Sequence, residues 1–202
     1  MDETFLINAA QQGDVDAFNQ LVLAYQEQAF NVAVRMLNDV QLAEDATQNS
    51  FISAYKHIRS FRGGSFRAWI LRIVTNNCYD ELRRQKRKPE QGFDLQDANE
   101  DQQFDESEWV EDNALSPEEV IEKRELELAI QRCIDGLPAD FRSIVILVDI
   151  QGMDYQAAAE VVKKPLGTIK SRLARARQKM QECLQGVWEL LPAKFRLDSE
   201  GS

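Results

Sequence analysis

The sequence predicts an all-α protein in which two small helical domains are joined by an acidic flexible linker. Apolar residues recur at steps of three and four in the first 88 residues, where Gly13 is the only glycine or proline before residue 63. A second stretch, 116–186, has the same spacing and is divided by helix start and stop signals. Between them, residues 89–119 contain twelve acids and no Lys or Arg. We therefore expect domains at 1–88 and 116–186, a linker at 89–115 and a C-terminal tail at 187–202.

Composition and charge indicate a water-soluble chain. It has 202 residues, 44% of them hydrophobic, a formal net charge of -10 and a mean hydropathy of -0.44. No apolar run approaches the roughly 18 residues of a membrane span. The N-terminus lacks the basic start and apolar core of a secretory signal. We therefore expect a cytoplasmic protein with no membrane insertion of its own.

Metal, cofactor and disulfide sites are not expected. The three cysteines, Cys78, Cys133 and Cys183, lie far apart in the sequence, and His57 is the only histidine. An odd, unclustered set of cysteines argues against a disulfide framework and against a metal knuckle. Buried or half-buried thiols are the simpler interpretation.

The first domain should begin with two long amphipathic helices. Asp14 can cap a helix whose apolar residues recur from Phe18 to Met36. The pair Asn38-Asp39 can end that helix and cap the next, whose apolar stripe runs from Leu42 to Ile58.

A glycine loop and a basic helix complete this domain. Gly63-Gly64 predicts a flexible loop, and Ser65 can cap the helix that follows. Five of the six residues 83–88 are basic. Basic residues complement the dipole at a helix C-terminus, but five exceed what a dipole requires, which favours phosphate contact.

The second domain should contain a helix-turn-helix. Asp154 can cap a short helix from Tyr155 to Val162, and Lys163-Lys164-Pro165 breaks it before a helix of 166–184. One face of that last helix is apolar, at Ile169, Leu173, Ala176, Met180 and Leu184. The window 161–181 has seven bases and no acid. A solvated surface helix would normally carry both acidic and basic residues at i,i+4 positions. The absence of acids therefore predicts a recognition helix that contacts DNA.

Three stretches in this order resemble extracytoplasmic-function (ECF) sigma factors, the small promoter-specificity subunits of bacterial RNA polymerase. They are D-A-T-Q-N-S-F at 45–51, F-R-G-G-S-F-R-A-W-I-L-R-I-V-T-N-N-C-Y-D-E-L-R-R at 61–84, and P-L-G-T-I-K-S-R-L-A-R-A-R at 165–177. The resemblance covers nearly all of 5–185 apart from the linker. It implies a sigma-2 domain that melts and reads the -10 promoter element, and a sigma-4 domain that reads the -35 element.

The resemblance also assigns residues and partners. Residues expected to contact the clamp helices of the polymerase's largest subunit are Asp45, Gln48, Asn49, Phe51 and Tyr55. Residues expected at the -10 element are Arg62, Gly63, Gly64, Ser65, Phe66, Trp69, Asn76, Asp80 and Arg83, with Trp69 placed first in the core. Residues expected at the -35 element are Thr168, Lys170, Ser171, Arg172, Ala174, Arg175 and Arg177. The implied partners are core RNA polymerase (clamp helices, and the flap of the second subunit), promoter DNA and an anti-sigma factor, with the linker running through the active-site cleft and RNA exit channel.

The sequence departs from the family pattern at a few positions. The first helix of the helix-turn-helix reads Tyr155-Gln156-Ala157-Ala158-Ala159 where the family usually has Tyr-x-Glu-Ile-Ala. Lys163 stands where the family usually has Gly, and a left-handed backbone there would cost roughly 1 kcal/mol relative to Gly. Asn49 replaces an acid that the family uses against core polymerase.

Two other functions were considered. A stand-alone helix-turn-helix regulator would account for residues 116–186 but not for 45–84 or the acidic linker. A metal-dependent nuclease would need a fixed carboxylate cluster, and the linker acids have no scaffold to provide one. The sequence therefore favours a non-enzymatic sigma factor.

Overall fold

The computed structural model describes residues 2–87 and 117–186, which form helices joined by short turns. The elements of the first block are α1 (Glu3–Gln11), α2 (Val15–Leu37), α3 (Val40–His57), a 3-10 turn (Ile58–Ser60) and α4 (Phe66–Arg87). Those of the second block are α5 (Pro117–Asp135), α6 (Ala139–Val145), a π-helical turn (Ile146–Ile150), α7 (Tyr155–Val162) and α8 (Leu166–Gly186). The expectations for the linker, the Ser116 cap, Lys88 and the tail lie outside the described residues. Among those described, no helix is long and apolar enough to cross a membrane.

Helix starts in the first block follow the predicted caps. The carboxylate of Asp14 accepts a hydrogen bond from the Ala17 N–H at 3.0 Å, and that of Asp39 accepts from the Leu42 N–H at 2.8 Å. Between α2 and α3, Asn38 has a left-handed backbone (φ 52°), a conformation that Asn adopts more easily than most residues. Because these caps satisfy the free N–H groups of the first turns, the boundaries are set by local sequence.

Helices α2, α3 and α4 pack on one another around an apolar centre, with α1 against α2. The fully buried side chains include Leu21 and Met36 from α2 and Ile70 and Leu71 from α4. Helix α1 was not predicted as a separate helix, and Gln11 at its end donates to the Phe61 carbonyl at 2.8 Å. This bond ties the chain start to the segment that precedes the glycine loop.

A disulfide in the second block contradicts the sequence-based expectation. Cys133 on α5 is bonded to Cys183 on α8, with Cα atoms 5.7 Å apart. The prediction against a disulfide was wrong for this pair because spacing along the chain does not reveal that α5 and α8 pack side by side. Cys78 is a free buried thiol, as expected, and burial raises its pKa to about 12.

The two blocks are in contact. Their buried residues form one continuous cluster, in which α4 packs against α7, and α2 packs against α5 and the π-helical turn. The linker therefore connects blocks that lie side by side in this structure.

Candidate functional site

Helix α8 has one buried apolar face and one exposed polar face. Ile169, Leu173 and Ala176 are at most 2% exposed and face the core of the second block. On the opposite side, the exposed residues are Lys170, Ser171, Ala174, Arg175 and Arg177. The predicted outward face is confirmed at these residues, and the predicted inward face is confirmed at Ile169, Leu173 and Ala176, whereas Met180 and Leu184 are only partly buried.

The turn before α8 sets the direction of this face. Asp154 caps α7 by accepting from the Ala157 N–H at 2.8 Å. Lys163 ends α7 with a left-handed backbone (φ 52°, ψ 49°), the conformation foreseen for this Gly-like position. The Pro165 carbonyl then accepts from the Thr168 N–H at 2.8 Å and opens α8. The tight α7–turn–α8 unit is a helix-turn-helix with an exposed second helix.

Two of the arginines expected to face phosphates are paired within their own block. Arg172 donates to the Asp140 carboxylate at 2.6 Å, and Arg177 donates to Asp149. The hydrogen bond to Asp149 raises the pKa of Arg177. Among the described residues, Lys170 and Arg175 form no ion pair. Lys179, further along the helix, is also exposed and has no ion pair among the described residues, so Lys170 and Arg175 are the two unpaired cations within the set expected at the -35 element.

The loop before α4 lies on an aromatic cluster. Gly63 and Gly64 both have positive φ (95° and 87°), which explains why glycines occupy this turn. Ser65 caps α4, since its hydroxyl accepts from the Ala68 N–H at 3.1 Å. Phe66 is 1% exposed and stacks against Trp69, with ring centroids 5.4 Å apart.

The two aromatic side chains differ in burial: Phe66 is buried and Trp69 is partly buried. Because Phe66 is buried, it supports the loop from below in this structure instead of facing solvent. Trp69 is partly buried and packs against the core, in line with its expected placement. The exposed residues of the loop are Arg62, Gly63, Gly64 and Ser65.

The exposed face of α4 continues from this loop. Asn76 is exposed, and Asp80 forms an ion pair with Arg83 one turn later. Asn77, one position from Asn76, instead donates to the Ser50 hydroxyl at 2.7 Å inside the bundle. The two neighbouring asparagines therefore have different environments, and Asn76 is the one open to a ligand.

A groove of about 710 Å³ lies between α2 and α3. Gln48 and Tyr55 from α3 line one side, whereas Phe18, Val22 and Phe30 from α2 line the other. Asp45 and Asn49 are exposed beside it, and Phe51 is 8% exposed and mainly structural. The sequence motif identified the α3 wall only. The α2 wall was missed because apolar residues of that helix such as Phe18 and Val22 were assigned to the core. The exposed Ile52 (46%) was given no role.

Residues expected at the -10 element and at the -35 element lie close together at the junction of the two blocks. A cavity of about 360 Å³ is lined by Asn76 and Arg83 of α4 and by Arg172 of α8. Beside it, the hydroxyls of Tyr79 and Ser143 lie 2.6 Å apart across the junction. Nothing in the sequence indicated that these two groups of residues would be close.

Further hydrogen bonds cross the same junction. Arg142 of α6 donates to the Met36 carbonyl of α2 at 2.7 Å. Arg67 of α4 donates to the Gln151 carbonyl, and the Gln28 amide of α2 donates to the Gln151 side-chain oxygen at 2.8 Å. These bonds hold the blocks together through α2, α4 and the start of the second block's helix-turn-helix.

Comparison with known proteins matches both blocks. The family model "Sigma-70 region 2" matches residues 21–88, and "Sigma-70, region 4" matches residues 127–180. The RNA polymerase sigma-H factor of Pseudomonas aeruginosa is 35% identical over 89% of this chain and 92% of its own length. The ECF RNA polymerase sigma factor SigW of Bacillus subtilis is 34% identical over 90% of this chain and 96% of its own.

A solved structure has the same fold. The sigma factor RpoE of Bartonella quintana, in complex with the anti-sigma factor NepR, is similar with a TM-score of 0.63 and 26% identity. The match covers 85% of this chain and 98% of that one. Both regions are matched, which favours a polymerase subunit over a stand-alone helix-turn-helix regulator. The chain belongs to the ECF RNA polymerase sigma factors, which are non-enzymatic and direct promoter-specific transcription initiation.

Proposed function

We propose that this sigma factor reads the -35 element with the outward face of α8 and the -10 element with the loop and exposed face of α4. The single observation that carries the first assignment is that Lys170 and Arg175 are exposed and form no ion pair with any described residue, on a helix whose other face is buried. Lys and Arg side chains in the major groove recognise guanine edges, and Ser171 beside them can bond to several bases. Thr168 and the paired arginines would position the helix on phosphates.

The loop of 62–65 is suited to hold a base that has left the stack. Unstacking a base costs a few kcal/mol, and a rigid pocket with an adjacent aromatic group offsets this cost. The aromatic cluster beneath the loop supplies rigidity, and Arg62 supplies an exposed cation. Asn76 and the Asp80–Arg83 pair extend the same surface along α4 and would read the upstream part of the -10 element.

The groove between α2 and α3 is the proposed seat for core polymerase. Its apolar walls would bury the partner's clamp helices, while Asp45, Gln48 and Asn49 make polar contacts at the rim. The second block would meet the flap of the other large subunit. A sigma factor acts where polymerase and DNA are, so we place the chain in the cytoplasm.

The packed arrangement of the blocks would have to open during initiation. Elements centred at -35 and -10 are about 25 base pairs apart, which is about 85 Å along B-DNA. Here, Arg83 and Arg172 line one cavity, and the two DNA-facing helices cannot reach both elements at once. An anti-sigma factor such as the partner of the Bartonella relative would hold the chain closed or cover the polymerase groove.

Transcription with purified bacterial core polymerase on a library of promoter fragments tests this assignment. We expect transcripts that start a fixed distance below two shared elements. The double variant Lys170→Ala, Arg175→Ala should lose at least tenfold in promoter use, since each base contact is worth about 1–3 kcal/mol. It should still co-migrate with core polymerase.

A matched control uses Lys179→Ala, an exposed lysine on the same helix beyond the proposed contacts. Its effect on promoter use should be small. If the double variant loses polymerase binding along with promoter use, the division of labour between the two blocks is wrong.

A further inference from the structure

We propose that Cys133 and Cys183 are a reversible thiol–disulfide pair whose oxidation fixes the C-terminal half of the recognition helix to α5. The two residues are 50 positions apart in sequence, yet their Cα atoms are 5.7 Å apart. This separation is in the range that a disulfide requires without backbone movement. The inference rests on the proposed function only in placing the chain in a compartment where small thiols keep cysteines reduced.

The two cysteines differ in accessibility, as a reversible pair requires. Cys133 is 3% exposed, whereas Cys183 lies at the surface of α8. A small thiol or disulfide can therefore reach the Cys183 sulfur, while Cys133 stays inside the domain. Exposed disulfides are the ones that exchange readily. Cys78 is fully buried with a strongly raised pKa and serves as an inert internal reference.

Oxidation by a low-molecular-weight disulfide proceeds by two exchanges. The Cys183 thiolate attacks one sulfur of the small disulfide and expels one small thiol. The Cys133 thiolate then attacks the Cys183 sulfur of this mixed disulfide and expels the second small thiol. The protein thiols lose two electrons and two protons, which the small disulfide gains.

The bond joins the DNA-facing helix to the helix that contacts the first block. On α8, Cys183 lies seven residues after Ala176, the last fully buried residue of that helix. Between them Met180 packs against the core but is only partly buried. On α5, Cys133 lies two residues after Gln131, whose amide donates to the Arg35 carbonyl of α2 at 3.3 Å. After reduction, the packing of Met180 would be the one of these contacts that still holds the last turns of α8.

The test uses the full chain and two readouts. Purified protein is equilibrated with mixtures of reduced and oxidised glutathione, and its accessible thiols are then counted with a maleimide reagent that shifts mobility. We expect two thiols to disappear together in one two-electron transition. The unfolding temperature followed by circular dichroism should fall by about 10 °C on reduction.

Single variants make the assignment specific. Cys183→Ser and Cys133→Ser should each have an unfolding temperature that does not respond to reductant, whereas Cys78→Ala should keep the response. The proposal is overturned if the thiols never disappear, if the bond resists millimolar glutathione, or if wild-type unfolding is insensitive to reduction. Neither readout uses polymerase or promoter DNA, so failure here leaves the proposed function standing. Failure of the transcription assay likewise leaves this result standing.

Discussion

Removing the hydroxyl contact between Tyr79 and Ser143 should open the two blocks of this sigma factor. The two oxygens are 2.6 Å apart, and the full burial of Ser143 shields its side of the bond from water. Partial burial also raises the pKa of Tyr79. A net hydrogen bond of this kind contributes about 0.5–1.5 kcal/mol. Tyr79→Phe leaves the Ser143 hydroxyl within 3.5 Å of the Asp140 carbonyl, which limits the further penalty. We expect a loss of about 1 kcal/mol, or about a fivefold shift toward the open form.

Energy transfer between dyes placed at Lys56 on α3 and Gln178 on α8 measures this equilibrium, because both positions are exposed. The dyes are attached through unnatural amino acids so that the cysteines remain intact. Tyr55→Phe is the matched control, since Tyr55 is exposed and its hydroxyl forms no hydrogen bond among the described residues. Its energy transfer should equal that of the wild type.

A double-mutant cycle decides whether the bond itself is responsible. Tyr79→Phe and Ser143→Ala remove the same contact, so the double variant should be about as open as either single variant. Full additivity, or an effect of Tyr79→Phe no larger than that of the control, would refute this account of the junction.

Three further outcomes are expected. Lys163→Gly should raise the free energy of unfolding, measured by denaturant titration, by about 0.5–1 kcal/mol. The reason is that the strain of the left-handed backbone at Lys163 costs more than the conformational entropy that Gly adds to the unfolded chain. An unchanged or lower free energy of unfolding would contradict this. Asp149→Asn should strengthen binding to -35 duplex DNA severalfold at low salt, because Arg177 loses its anionic partner and can contact a DNA phosphate. Fluorescence anisotropy measures the affinity, and weaker binding would contradict this expectation. Cys183→Ser should destabilise the oxidised protein by about 4 kcal/mol, the loop-closure value for the 50-residue separation; equal stability with and without the bond would contradict it.

The sequence by itself determined most of the helices and their faces, although it did not indicate α1. Caps at Asp14, Asp39 and Asp154 act on N–H groups three residues away, so they can be recognised within a short stretch of sequence. The inward face of α8 follows from its repeat of apolar residues, and the loop at Gly63-Gly64 follows from residue type. The family motifs then indicated candidate residues for contact with DNA and polymerase, without indicating which of those side chains are free.

Only the tertiary structure decided which of those residues are paired, buried or brought together. The Arg172–Asp140 and Tyr79–Ser143 contacts join residues 32 and 64 positions apart, and the disulfide at Cys133 spans 50. Periodicity reports which face of a helix is apolar, but not which helix will cover it or at what register. Such contacts depend on how helices pack in three dimensions, which is why the disulfide and the packing of the two blocks were not predicted from the sequence.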